Sequence, residues 1–226
     1  MPKQPHPLAI FIGLTIILTS FPWGSAHAAS VFFNEIHYDN AGADTSEAIE
    51  IAGQAGTDLT GWSILLYNGN GGTVYNMINL SGSFANQQNG FGTLSFLQTG
   101  IQNGAPDGMA LVDASNNVIQ FLSYEGSFTA VEGFADGLTS TDIGVTESFN
   151  TPIGYSLQLR GTGTDSSDFT WAAAMANTFG AVNTEQTFTG GGQQPVPEPS
   201  TILLLSSGLT GLSFWRWKQR QQKPQA

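Results

Sequence analysis

Seventeen Asp and Glu face three His and no Cys in this 226-residue chain, so any chemistry must come chiefly from carboxylates. His6 and His27 lie in the first twenty-eight residues, and Lys3 with them, which leaves His37 as the sole histidine of the central region. A metal-dependent phosphodiesterase built on paired histidines has no pair to use, and a zinc centre of His and Cys ligands lacks its donors. With no Cys and no central Lys, thiolate and Schiff-base nucleophiles are excluded. A Ser-His-Asp arrangement around His37 would need a nucleophile context such as Gly-x-Ser-x-Gly, which does not occur. His37 stands beside Tyr38 and Asp39 and reads as a turn or surface histidine. Glycoside-hydrolysing carboxylate pairs are compatible with so many acids, but nothing in their spacing selects two. The chain is therefore expected not to be an enzyme.

A hard cation is the better match to these donors. Asp39, Asn40, Asp44, Ser46 and Glu47 concentrate oxygen ligands in one Gly-containing loop, and Ca²⁺ takes roughly six to eight such oxygens. Asp39, Asp44 and Glu47 are its carboxylate candidates, with a solvated acidic turn as the alternative reading. Asp136, Asp142 and Glu147 form a looser second group. No cofactor beyond this candidate Ca²⁺ is expected.

The elements that would hold these residues read as strands. Val31–Ile36, Ala48–Ile51, Trp62–Tyr67, Thr73–Ile78, Phe91–Phe96, Met109–Val112, Val118–Tyr124, Tyr155–Arg160 and Phe169–Trp171 are apolar or β-branched runs separated by turn residues. Asn68-Gly69-Asn70-Gly71-Gly72 predicts a tight hairpin, because Asn-Gly pairs supply positive φ. Asp113 to Asn117 predicts a second. Ala172–Ala176 alone has helical leanings. Seven to nine short strands predict an all-β, antiparallel sandwich. Residues 127–151, acidic and rich in Gly, Ser and Thr, form a long excursion that reads equally as functional or as a topological connection.

Both ends read as addresses. Lys3 and His6 precede an apolar stretch, Leu8 to Leu18, and Ala26-His27-Ala28 offers a small-x-small cleavage site after Ala28. Residues 1–28 are thus expected to be a signal peptide removed by signal peptidase. At the other end, Pro197-Glu198-Pro199-Ser200 precedes the apolar run Thr201–Trp215 and then Arg216, Lys218, Arg220 and Lys223. Two prolines keep the motif extended and accessible. The apolar run is expected to form a membrane helix, with Arg216, Lys218 and Arg220 as its cytoplasmic stop. The order of parts resembles the PEP-CTERM sorting signal, which implies an exosortase-like membrane protease or transpeptidase as partner. The expected division is a signal peptide (1–28), a sandwich (29–188), a flexible linker (189–196) and a sorting segment (197–226). The expected route is export through an inner-membrane intermediate to the cell surface or matrix of a Gram-negative type envelope.

Only Arg160 among the six Lys and Arg lies between residues 29 and 188, against sixteen of the seventeen acids, a formal charge of −15 for that region. Phosphate backbones are bound through several Lys or Arg, so no nucleic-acid partner is expected. Glu35 and Glu50 fall within strand runs, and a buried carboxylate there needs a partner. Arg160 is the one cationic candidate, and its pairing with one of them is expected.

Asn34-Glu35-Ile36-His37-Tyr38-Asp39, Glu47-Ala48-Ile49-Glu50-Ile51, Asp58-Leu59-Thr60-Gly61-Trp62 and Thr178-Phe179-Gly180-Ala181-Val182-Asn183 together resemble the lamin tail domain of bacterial secreted proteins. That resemblance implies an immunoglobulin-like β-sandwich from Val31 to Phe188 without catalysis of its own. It points to adhesion or to contact with a polysaccharide or an envelope or matrix protein. Two rivals remain: a calcium-dependent carbohydrate-binding module presenting Trp62, Tyr67 or Tyr75 on an open face, and a secreted hydrolase or accessory subunit of an extracellular nuclease using His37 or a carboxylate pair.

Overall fold

The computed structural model of the protein describes residues 30–190. The expected cleavage site at Ala26 and Ala28, the Pro197–Ser200 motif and the basic residues Arg216, Lys218 and Arg220 lie outside the described residues, as does most of the linker.

Every strand read from the sequence is present: β1 (Val31–His37), β2 (Ala48–Gln54), β3 (Ser63–Asn68), β4 (Thr73–Asn79), β5 (Phe91–Leu97), β6 (Asp107–Val112), β7 (Val118–Tyr124), β9 (Tyr155–Gly163) and β10 (Phe169–Ala176). The described residues add β8 (Thr141–Asp142) and β11 (Gln186–Phe188), which are too short to show any alternation, so the expected seven to nine strands become eleven. Ala172–Ala176 is strand rather than helix. It ladders against β9 from Ala172↔Gln158 to Ala176↔Tyr155, and cross-strand pairing overrides the weak helical preference of alanine.

The strands form two sheets, ordered β10-β9-β1-β2-β5, with β11 also on β9, and β4-β3-β6-β7-β8. Pairing is antiparallel except at β9–β11 and β7–β8, which are parallel, so the arrangement is not purely antiparallel as the sequence had suggested. The two sheets pack face to face. Phe33, Ile36, Ile49 and Ile51 from one meet Ile64, Leu66, Met109 and Leu111 from the other in one buried cluster.

Alternation along a strand sends neighbouring residues to opposite faces, yet the central strands are buried on both. Each outer face carries its own apolar cover. Leu65, Tyr67, Ala110, Val112 and Phe121 on the second sheet are capped by Phe128, Ala130 and Ala135 of the long excursion. Phe32, Ala52, Phe91 and Phe169 on the first sheet are closed by Phe188 of β11, which stacks on Phe91 at 4.9 Å between ring centres. The excursion is thus a structural cover in its first half.

The β3–β4 hairpin closes at Asn68↔Thr73. Gly71 and Gly72 take positive φ as expected, but Gly69 does not. It is needed for approach instead: a Cβ there would stand 2.1 Å from the Pro106 carbonyl oxygen. This contact presses the hairpin against residues 98–106, the connection from β5 to β6. The connection in turn meets the 38–47 loop, Gly100 donating to Glu47 and Asn103 to Asp44, at the end of the sandwich where Tyr38 stacks on Tyr124 at 3.9 Å.

Candidate functional site

Chemistry-bearing side chains gather in three places. The first is the outer face of the first sheet. Glu35 and Glu50 sit directly opposite each other on β1 and β2, and both are fully buried. A bulge makes the site: Asn34 is the extra residue between Phe33↔Ile51 and Glu35↔Glu50. Segment 178–186 lies over the pair. Glu35 accepts from the Thr178 N–H (2.8 Å), the Thr178 hydroxyl (2.8 Å) and the Ser156 hydroxyl (2.5 Å). Glu50 accepts from the Gly180 N–H (2.6 Å) and the Asn34 side-chain amide (2.9 Å). Asn183 donates to the carbonyls of Asn34 (2.9 Å) and Leu159 (3.0 Å), and Gln186 donates to the Asn34 side chain (2.7 Å).

Burial raises both carboxyls, opposed by these hydrogen bonds, and Glu50 is pushed up to about 8, with Glu35 a smaller contributor to that rise. The expected ion pair with Arg160 is not formed. Arg160 pairs with Glu185 (3.1 Å) at the surface, while the glutamates are satisfied by backbone and side-chain N–H and O–H groups. Two carboxyls facing one another could share a proton, but no path from solvent reaches their oxygens, and their lone pairs hold the covering segment in place. Sequence reasoning singled out the Thr178–Asn183 stretch only as a motif. Its role as a clasp over two acids, and that of Asn34 as the bulge, had no local signal.

The second place is His37, which is buried rather than on the surface. Its Nδ1 lies 3.0 and 3.1 Å from the two Glu147 oxygens, and its Nε2 lies 3.2 Å from Asn40 Oδ1 and 3.1 Å from the Thr45 carbonyl. The Asn40 amide NH₂ already donates to the Ala41 and Ala43 carbonyls, so its oxygen faces the ring. Acceptors on both sides require both ring nitrogens to donate, which makes the ring an imidazolium. Burial opposes that charge, but the Glu147 partner outweighs it in sum with the two oxygens on Nε2, and the pKa of His37 is raised. Glu147 also accepts from the N–H groups of Tyr38 (2.6 Å) and Asp39 (3.0 Å). With both nitrogens engaged and no solvent contact, His37 offers no free base. It locks the second half of the long excursion onto the end of β1. A partner 110 residues away leaves no trace in local sequence.

The third place is the end where the 98–106 connection touches the 38–47 loop on one side and the 69–72 turn on the other. The calcium candidates divide there: Asp39 and Asp44 stay side by side, while Glu47 turns away from them. Asp44 accepts from the Asn40 N–H (3.2 Å) and the Asn103 amide (3.3 Å). Glu47 turns inward and accepts from the Gly100 N–H (2.7 Å), leaving its Oε1 buried and without a hydrogen-bond partner. Asp39 is half-buried, and burial, with Asp44 second, raises its pKa. Among the described residues no three His, Asp or Glu side chains come together in a group able to hold a metal ion. Nor do the aromatic candidates form an open platform. Tyr67 is fully buried with its hydroxyl donating to the Glu132 carbonyl (3.1 Å), and Trp62 and Tyr75 pack against the inter-sheet core. Beside them lies a polar cleft of about 340 Å³, lined by Asn68, Asn70 and Gln102–Asp107.

Among the family comparisons, residues 195–220 match the PEP-CTERM protein-sorting motif. No curated protein and no solved structure matches the chain. The motif is recognised by exosortase, and it implies that this protein, built of strands in its described residues, is exported and sorted to the cell surface by that membrane-associated enzyme.

Proposed function

We propose that the protein is a non-catalytic, surface-displayed interaction module, of immunoglobulin-like, lamin-tail type, whose role is adhesion or contact with matrix and envelope components. The match over residues 195–220 carries this reading, because it fixes the destination on which such a role depends. The groups best able to do chemistry support it from the other side. His37, Glu35 and Glu50 are sealed from solvent and spend their hydrogen bonds on holding loops to the sheets. The four motifs that resemble lamin tail domains acquire structural roles under this reading. Asp58 caps its own turn by accepting from Thr60 (3.0 Å), Leu59 is core, and Asn183 closes the clasp. An N-terminal signal peptide and a retained or cleaved C-terminal helix complete the proposed route.

The test is delivery and attachment in an exosortase-containing host. A tagged full-length chain should reach the cell surface, and Pro197→Ala/Pro199→Ala should hold it in the inner-membrane fraction. Cells displaying the parent should adhere to matrix-coated surfaces better than cells without it. Equal surface display of parent and variant, or equal adhesion with and without the protein, would overturn the reading.

A further inference from the structure

We infer that the cleft between the β3–β4 hairpin and the 98–106 connection is a binding site for a neutral saccharide, which deepens the interaction reading above by naming a ligand class. The volume of about 340 Å³ falls in the range of roughly 300–1,000 Å³ typical of small-molecule sites. Its floor is built rather than accidental. Asp107, almost fully buried, accepts from the Gly69 N–H of the hairpin (3.0 Å) and from the Gly104 N–H of the connection (2.8 Å), so one carboxylate fixes both walls. Gly69 is compelled by its close approach to Pro106. The Gln102 backbone is clamped from behind, its N–H donating to the Tyr75 hydroxyl (2.9 Å) and its carbonyl accepting from the Tyr124 hydroxyl. A lining held this way needs little reordering on binding, which is where affinity is usually lost.

The lining chemistry is that of amides. Asn68, Asn70, Gln102 and Asn103 each carry a donor and an acceptor side by side. Asn68 already donates to Gln102 Oε1 (2.7 Å), but its own Oδ1 is buried without a hydrogen-bond partner. That oxygen is shut off from solvent, so the side chains that can meet a ligand are the exposed amides of Asn70 and Asn103 and the partly exposed Gln102. Vicinal hydroxyls both donate and accept, so a sugar ring matches such a lining, while Ala105 and Pro106 offer it an apolar edge. Charge narrows the class further. Neither Lys nor Arg lines the cleft, and both Asp107 oxygens are already engaged by N–H groups. Phosphates and uronates would meet repulsion from Asp107 and from Asp44, which Asn103 contacts.

The experiment uses the full-length chain in a detergent without a sugar headgroup. Maltohexaose, cellohexaose, laminarihexaose and hexa-N-acetylglucosamine are the probes, and hexagalacturonate is the anionic comparison. Calorimetry and saturation-transfer NMR should detect binding of at least one neutral hexamer. Asn70→Ala and Asn103→Ala, both exposed and so harmless to folding, should each weaken it roughly fivefold, the loss of about one neutral hydrogen bond. Asp58→Ala, a surface turn outside the cleft, should leave it unchanged. No binding by any neutral hexamer, binding indifferent to both Asn variants, or hexagalacturonate binding as tightly as the neutral probes would each overturn the inference. Delivery and adhesion are measured on cells and this affinity on purified protein, so either reading can fail while the other stands.

Discussion

At the residue scale, buried acids and one buried histidine make stability depend on pH in a definite direction. Glu50 moves from 4.5 when unfolded to about 8 when folded, and Glu35 and His37 are also raised. A group raised on folding stabilises fully below its unfolded value and loses that contribution as pH climbs through its folded value. Glu50 therefore favours folding below about pH 4.5 and loses its contribution between about 4.5 and 8. His37 keeps its contribution up to its unfolded value near 6.5 and loses it above. Asp58, Asp113 and Asp168 are lowered by hydrogen bonds to their own turns, so they act oppositely and lose stability only as pH falls below the ordinary aspartate range. Melting temperature should accordingly peak in mildly acid solution and fall from about pH 5 to 8. Thermal melts of Glu50→Gln should show a flatter profile across that window. An unchanged slope would mean that Glu50 is ionised when folded.

His37→Ala leaves the Glu147 carboxylate buried without its cation. Breaking one side of a buried pair costs about 3–5 kcal/mol. At roughly 2–4 °C per kcal/mol for a domain of this size, the melt should drop by about 10 °C. His37→Ala/Glu147→Gln should recover part of the loss, because the second change removes the stranded charge. A single variant that melts with the parent would show the ring to be dispensable to the lock.

At the scale of elements, the sheets are completed by segments that are barely strands. The run from Thr178 to Phe188 covers Glu35 and Glu50 and supplies β11, and residues 128–135 cover the other sheet. Asn183→Ala removes two donors at once and leaves the Asn34 and Leu159 carbonyls buried and unmet. Each unsatisfied group costs about 1–3 kcal/mol, so chemical denaturation should show a loss of roughly 2–5 kcal/mol. Hydrogen exchange should quicken first at Thr178 and Gly180, whose amides Glu35 and Glu50 hold. Uniform quickening instead would argue that the clasp and the sheets unfold as one unit.

At the scale of the molecule, sixteen acids and one arginine share the central region, and the arginine is engaged with Glu185 at the surface. Self-repulsion of this kind destabilises the folded state and is screened over about 8–10 Å at physiological salt. Raising NaCl from 10 to 150 mM should lift the melting temperature by a few degrees. A fall would point to attractive pairs outweighing the repulsion. The same charge is carried beyond a membrane by the route that residues 195–220 imply, and a surface of this sign repels other polyanions.

Nine of the eleven described strands, the two hairpins and the sorting motif were legible in the chain, because alternation, turn residues and short linear motifs are local properties that need no partner. So was Asp58 in its turn, two residues from the Thr60 it caps. What only the tertiary structure decided are the contacts between residues distant along the chain: Glu147 against His37, Asn183 against Asn34, Pro106 against Gly69, and the absence of Arg160 from the glutamate pair. The acidic loop at 39–47 shows the division plainly. Its composition announced oxygen ligands, but the direction each carboxylate takes, Asp44 towards Asn103 and Glu47 towards Gly100, was set by loops packed from elsewhere. Composition specifies which groups a segment carries; where they point follows from which other segments the fold brings against it.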